Sequence, residues 1–574
     1  MRDTLLLLCL CASLGHATAP QRPENPWEGT LVPSRPAAQR DAAREMPDPL
    51  GPFCYLREFE QTTDYLAQWQ QDNPGLPQYG GEIEAEAGEL AGVIQTDNTL
   101  ESIWCWSRRR AWTGLTDHDA RLAAAWTYCQ NYPAWLEEGG FGDNYYRDHN
   151  CAWGLAACLE YEAATGDTTR RAYGRSCAAY IAVHPLPLIS GASLNAMVTG
   201  WCAGSLYDYA LAQGREDWRQ AALAQGLDLL DWMEANPAAW LAWDEWAMSG
   251  GTMLWGLCRS VFAEAPIYGQ LWLRDHVFQV PDWSDWHNVA GYDWDSAWNV
   301  AYANGLFAVT EAAGDPVSSE RARAIMDGLL SYDTDDDGGI MANSHDPDTQ
   351  DMSWVSCYLA KFCLARLVGD PAAGDVGVLR LAGLRDEEVV VLGQARQLAV
   401  IVANQGTEAA TGVEVTLEVD GQLASGATDL DYADLDTLAL LDWTPVTPGR
   451  HRLRAWTSWD ADSRPLNDTL IVDLTALSPP LASRAPSPRD TTPLAARLEE
   501  NGTLSLELAE PGKVGLELFN LLGQRLLLRE EVVTARGRVR LSWRQGAQGL
   551  ADGVYLLRVA SGGRAETLRV PLLK

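Results

Sequence analysis

Trp153-Gly-Leu-Ala-Ala-Cys-Leu-Glu-Tyr161, Trp201-Cys-Ala-Gly-Ser-Leu-Tyr-Asp-Tyr209 and Trp354-Val-Ser-Cys-Tyr-Leu-Ala-Lys-Phe362 are three versions of one pattern. Each opens on tryptophan, closes on an aromatic eight residues later, and holds small or apolar residues between. That spacing draws a stripe along a helix and does not fit the alternation of a strand. Related segments open at Trp106, Trp255 and Trp298, so the pattern recurs about once per helical hairpin.

Gly166-Asp167, Gly314-Asp315 and Gly369-Asp370 end three of these helices, and Gly214 with Asp217 ends a fourth. Glycine suits the left-handed turn after a helix and aspartate the cap of the next. Second helices are predicted over 117–131, 167–182, 216–235, 267–279 and 315–331. The last tryptophan helix has no second helix after it, and the helix predicted over 54–71 is its partner. No such hairpin buries its apolar face alone, so the repeats must stack. Residues 54–372 therefore read as an (α/α)6 toroid with the tryptophan helices inside; an open solenoid is the rival reading.

Arg2, the run Leu5-Leu-Leu-Leu-Cys-Leu10 and Ala17-Thr-Ala19 read as a signal peptide over 1–19, too short to span a membrane. Pro20 makes the cleavage point itself ambiguous. A proline-rich linker covers 20–53. The expected location is secreted or on the outer cell surface. A formal charge of -35 argues against nucleic-acid binding. Ten of the twelve cysteines lie in the helical region; there, on apolar faces, they read as core thiols, with disulfides as the alternative.

Past residue 375 the pattern turns to β-branched runs such as Val413-Glu-Val-Thr-Leu-Glu-Val419. Val402-Ala-Asn-Gln-Gly406, the Asp420-Gly421 turn and Pro448-Gly-Arg-His-Arg-Leu-Arg454 resemble the CARDB family over 377–475. A linker follows at 476–492. Residues 493–574 resemble the C-terminal sorting domain of type IX secretion and FlgD-like modules, through Leu518-Phe-Asn-Leu-Leu-Gly-Gln524 and Gly549-Leu-Ala-Asp-Gly-Val-Tyr-Leu-Leu-Arg-Val559. The resemblances imply two all-β immunoglobulin-like sandwiches after the toroid, and the type IX machinery as a partner.

Connections entering the tryptophan helices are long, and in a closed ring they all emerge at one end, where binding groups concentrate. They interleave carboxylates with aromatic rings, which suits a saccharide: rings stack on sugar faces and paired carboxyls supply acid and base. The candidate catalytic residues are Asp143, Asp148, His149, Asp293 and Asp295. Tyr145, Tyr146, Arg147, Trp243, Trp246, Trp283 and Trp286 are candidate substrate contacts. Helix capping is the competing explanation for Asp97, Asp148, Asp295 and Asp351. Asp333-Thr-Asp-Asp-Asp-Gly-Gly-Ile340 spaces Asp333, Asp335 and Asp337 like a calcium loop, but Ser344 stands where the bidentate glutamate belongs. The same loop contains the DxDD pattern of class II terpene cyclases, four residues that exported location disfavours.

In layout the toroid resembles the six-hairpin glycosidases and α/α polysaccharide lyases. That resemblance implies a glycoside hydrolase, or a lyase using Tyr146 or His149 as base, acting on a polysaccharide. The reading from another class is a non-catalytic surface protein that binds glycan or protein.

Overall fold

The computed structural model describes residues 52–87, 90–136, 145–189, 193–240, 250–279, 295–333, 336–341, 351–477, 496–498, 504–508, 512–519, 525–533, 537–541, 553–561 and 564–572. The signal peptide and both linkers lie outside these, apart from the last residues of the first linker and the first of the second.

Long helices alternate between two layers. The inner ones are α2 (Thr96–Thr113), α4 (Tyr145–Thr165), α6 (Ser193–Gln213), α9 (Gly251–Arg259), α12 (Asp295–Ala313) and α14 (Ser353–Leu359), which runs on through a π turn at Ala360–Leu364 into α15 (Ala365–Val368). The outer ones are α1 (Tyr55–Trp69), α3 (Asp119–Asn131), α5 (Arg171–Val183), α7 (Glu216–Ala235), α11 (Pro266–His276) and α13 (Pro316–Leu330). Two short helices, α8 (Pro237–Trp240) and α10 (Val261–Glu264), fall between them. The glycine ends hold: Gly166 and Gly314 take φ of 70° and 68°. Asp315 caps α13 through the Ser318 amide at 2.9 Å, and Asp167 accepts from the Thr169 amide at 2.8 Å.

Each inner helix packs on the next, and α14 returns to α2, so the ring is closed. The helix α1 packs against α14, the π turn and α15, completing the pair that the sequence leaves single. Contacts across the axis show which stripe faces inward. Trp153 lies 4.9 Å from Trp201, which lies 4.9 Å from Trp255, and Phe362 touches all three rings at 5.3–5.8 Å. The middle of the ring is therefore solid aromatic core. One repeat departs from the pattern. In α2 it is Trp104 that faces Lys361 on the axis, 4.5 Å away, while Trp106 turns outward and donates to the Thr63 carbonyl at 3.0 Å.

Small residues set how tightly the ring closes. A Cβ on Gly256 of α9 would lie 2.1 Å from the Gly200 carbonyl oxygen of α6, with backbone on both sides. Gly256→Ala should therefore force the two helices apart at a cost of about 2–3 kcal/mol or more. Gly92→Ala, which meets nothing within 4 Å, should be close to neutral. Melting curves of the two variants check this; equal midpoints would contradict it.

Two sheets follow in the same compact unit. One has order β4-β10-β9-β6-β7 and the other β3-β5-β8, with β3 Val376–Leu381, β4 Val389–Val391, β5 Arg396–Asn404, β6 Ala410–Val419, β7 Gln422–Leu430, β8 Leu435–Trp443, β9 Gly449–Ser458 and β10 Thr469–Leu477. They share one core that includes Val400, Val415, Leu417, Trp443 and Leu453. Asp420 and Gly421, with φ of 50° and 75°, close the β6–β7 hairpin between paired Val419 and Gln422, as a two-residue turn with positive φ requires. Asn404 staples the 402–406 motif by accepting from the Gly406 amide and donating to the Glu408 and Asp431 carbonyls.

This module docks on the ring through Cys54, Leu56, Leu379, Ala403 and Ala433. Tyr432 donates to Glu60 at 3.0 Å, and Glu60 also pairs with the buried Arg109. All ten cysteines of the helical region are free thiols. No helix among the described residues is long and apolar enough to cross a membrane.

In the second compact unit the described residues are all strand. Its described strands are β11 Ala496–Leu498, β12 Leu504–Leu508, β13 Gly512–Phe519, β14 Arg525–Val533, β15 Gly537–Leu541, β16 Gly553–Ser561 and β17 Arg564–Leu572. They form sheets β11-β12-β15 and β14-β13-β16-β17 around a core of Leu504, Leu506, Leu516, Leu518, Leu557 and Val559.

Candidate active site

The inner helices run parallel, so all their N-termini point to one end of the ring and their carbonyl ends to the other. Helix dipoles favour anions at the first end and cations at the second, and the side chains follow. Along α2 the inward stripe reads Asp97, Glu101, Trp104, Arg108; along α4 it reads His149, Trp153, Glu160. The first keeps steps of four, three and four residues and the second steps of four and seven, each marking one helix face.

At the carbonyl end, Arg108 pairs with Glu160 at 2.7 Å and Arg259 with Asp208 at 2.9 Å. Lys361, in the π turn, is half-buried among them. Burial pushes its ammonium down to about 7, against the pull of Glu160 and Asp208. This layer is a charged floor beneath the aromatic plug.

The N-terminal end is the opposite in sign. His149 Nε2 lies 3.1 Å from the Tyr358 hydroxyl, and its Nδ1 lies 3.5 Å from Asp97 Oδ2. Since α4 and the α14 segment are not neighbours in the ring, His149 and Tyr358 meet over the axis, with α2 between their helices. Glu101 sits one turn below Asp97 and is buried. Burial raises its carboxyl well above the usual range, and Asp97 beside it raises it further. Glu82 and Glu84, on β1 (Glu82–Ile83) and just after it, are buried next to these groups; β1 pairs with β2 (Ile94–Gln95), which feeds directly into α2. Burial also drives the Glu82 carboxyl up, and Glu84 accepts from Gln95.

The residues singled out from sequence divide. His149 reaches the axis. Tyr145 is buried beside it, its hydroxyl raised by burial and then by Asp97, and Tyr146 packs edge-on to Tyr145 at 5.2 Å. Arg147 turns toward Tyr180 on α5. Asp148 is buried with no hydrogen-bond partner on either carboxylate oxygen, so it caps nothing. Burial pushes its carboxyl up to about 8. Its charge bears on the Cys202 and Cys151 thiols, and Cys202 donates to its carbonyl, which places it between α4 and α6. Asp143, Asp293, Trp243, Trp246, Trp283, Trp286 and Asp335 lie outside the described residues, and the Asp295 side chain does too.

Asp333 accepts from the Asp336 and Gly338 amides and so folds its own loop, while Asp337 accepts from the Gly339 amide. Glu101 and Tyr358 were not candidates. Their signal was present as the four-residue steps from Asp97 and from Trp354, but it requires knowing which stripe faces the axis.

No family model matches this chain, and no curated protein does. Among solved structures, a family 76 glycoside hydrolase from a bovine Bacteroides thetaiotaomicron strain is 12% identical, over 55% of this chain and 78% of that one, with a TM-score of 0.40. A β-arabinofuranosidase of glycoside hydrolase family 127 is 9% identical over 90% and 88%, with a TM-score of 0.34. A CARDB domain from Pyrococcus furiosus is 19% identical over 19% and 91%, with a TM-score of 0.17. Likeness at this level assigns no activity, and the functional reading rests on the chain's own residues.

Proposed function

We propose that the helical ring is the catalytic domain of a carbohydrate-active protein, a glycoside hydrolase acting on a glycan laid across the N-terminal end of the axis. One observation carries this reading: Asp97 and Glu101 share the axial face of α2, and burial together with the Asp97 charge keeps the proton on Glu101. One carboxyl able to donate and one able to accept is what glycoside hydrolysis requires. The carboxylates gathered at this end of the ring, Asp97 and Glu84 beside Glu101, disfavour a polyuronate and favour a neutral or amino sugar.

The contact of His149 with Tyr358 supports a second reading, elimination with these groups as base and proton donor. The leader-like first 19 residues and the 493–574 resemblance support export and sorting by the type IX machinery, with the CARDB-like and terminal modules as immunoglobulin-like spacers.

The test incubates the full chain with neutral, amino-sugar and uronate polysaccharides, and follows reducing ends together with ultraviolet absorbance of unsaturated products. Reducing ends alone on a neutral or amino glycan are expected. Both signals on a uronate would establish elimination instead, and silence with retained binding would make the protein a glycan receptor.

A further inference from the structure

The ring closes where α1 meets the last helix pair, and three short extended segments are sewn together there. Glu86 donates its amide to the Asp351 carbonyl at 3.2 Å, Met352 to Ile340 at 3.1 Å, and Ser353 to Glu84 at 3.0 Å. Bridges join Ala85 to Met352 and Met341 to Asp351. This stitching brings Glu86, Asp337 and Asp351 to one point, with one carboxylate oxygen from each lying within 4.8 Å of the others.

A second observation points into the same spot. Tyr65 of α1 is 2% exposed, and its hydroxyl has no hydrogen-bond partner. Its ring and the Asp351 carboxylate lie together against Gly339: a Cβ there would lie 2.7 Å from Tyr65 Cε2 and 2.7 Å from Asp351 Oδ2. The charges that bear on the Tyr65 hydroxyl come first from Asp351, Glu86 and Asp337. A buried hydroxyl left without a partner destabilises the fold around it, and three converging carboxylates repel one another. A cation bound among them relieves both.

We propose that Glu86, Asp337 and Asp351, with the Tyr65 phenol beside them, form a calcium site that staples the closing seam of the ring. All the donors are oxygens, which suits a hard cation. Calcium takes such oxygens in a loose, variable geometry, whereas magnesium demands a near-ideal octahedron and gives up its waters reluctantly. The site shares only Asp337 with the loop spacing noted in the sequence, and it is independent of the reaction proposed above.

The full chain, stripped with EDTA and desalted, is titrated with CaCl2 by calorimetry and with TbCl3 by luminescence excited through its aromatic rings. One ion per chain is expected, with a calcium-dependent rise of several degrees in the melting of the helical domain. Glu86→Gln and Asp337→Asn should each abolish binding and the rise, while melting in EDTA as well as the parent or better, because a repelling charge has gone. The proposal fails if the parent chain neither binds nor shifts up to about 10 mM calcium. It also fails if the shift survives in both variants, and equal binding of magnesium would overturn the assignment to calcium.

Discussion

Asp97→Asn is expected to lower kcat by about 10²–10⁴-fold on the glycan that the parent enzyme cleaves, with KM nearly unchanged. Asp97 and Glu101 lie four residues apart on one helix, which makes their side chains neighbours. Two neighbouring buried carboxyls do not both ionise, so Glu101 holds the proton and Asp97 is the partner left to act as base. Glu101→Gln should cause a loss of the same size and remove the alkaline fall of the pH–rate profile, which reports loss of the Glu101 proton. His149→Gln separates the two proposed reactions: hydrolysis by the carboxyl pair should weaken by about tenfold, whereas elimination should lose its base and fall by 10²-fold or more. Full activity in both the Asp97 and Glu101 variants would rule this site out.

The second large effect is on stability. Asp148 is buried without a partner, and its carboxyl is raised from its ordinary 3.8 to about 8. Between those values the folded chain holds a proton that the unfolded chain has released. Stability therefore falls as pH rises through this window and levels off above it. At about 1.4 kcal/mol for each pH unit climbed inside the window, the loss is on the order of 4 kcal/mol by pH 7 and about 6 kcal/mol above pH 8.

Asn has the shape of the protonated acid and no charge to desolvate. Asp148→Asn should accordingly be nearly neutral near pH 4 and increasingly stabilising toward pH 8, as read by melting temperature across that range. A variant as pH-sensitive as the parent would contradict the assignment. Its activity near pH 5 also tests the acid role expected from sequence: retained turnover makes Asp148 a structural proton holder, and a 10²-fold loss returns it to the site.

Helix period, the glycine ends and the Asp315 cap were legible because they are local, whereas Asp167 and Asp217 bind nearby groups without capping the helices that follow them. The spacing from Trp153 to Tyr161 needs no partner to be read, and Gly314-Asp315 announces its own turn. The closed ring was legible for a related reason: one tryptophan helix lacked a second helix and one N-terminal helix lacked a first. What the local pattern leaves open is rotation. Neighbouring residues on a helix point about 100° apart, so Asp148 and His149 look alike in sequence yet one faces thiols between helices and the other faces the axis. Trp104 and Trp106 exchange roles for the same reason. The seam adds a second kind of decision. Tyr65, Glu86, Asp337 and Asp351 are far apart in the chain, and only closure of the ring, driven by burial of its apolar faces, brings their oxygens to one point.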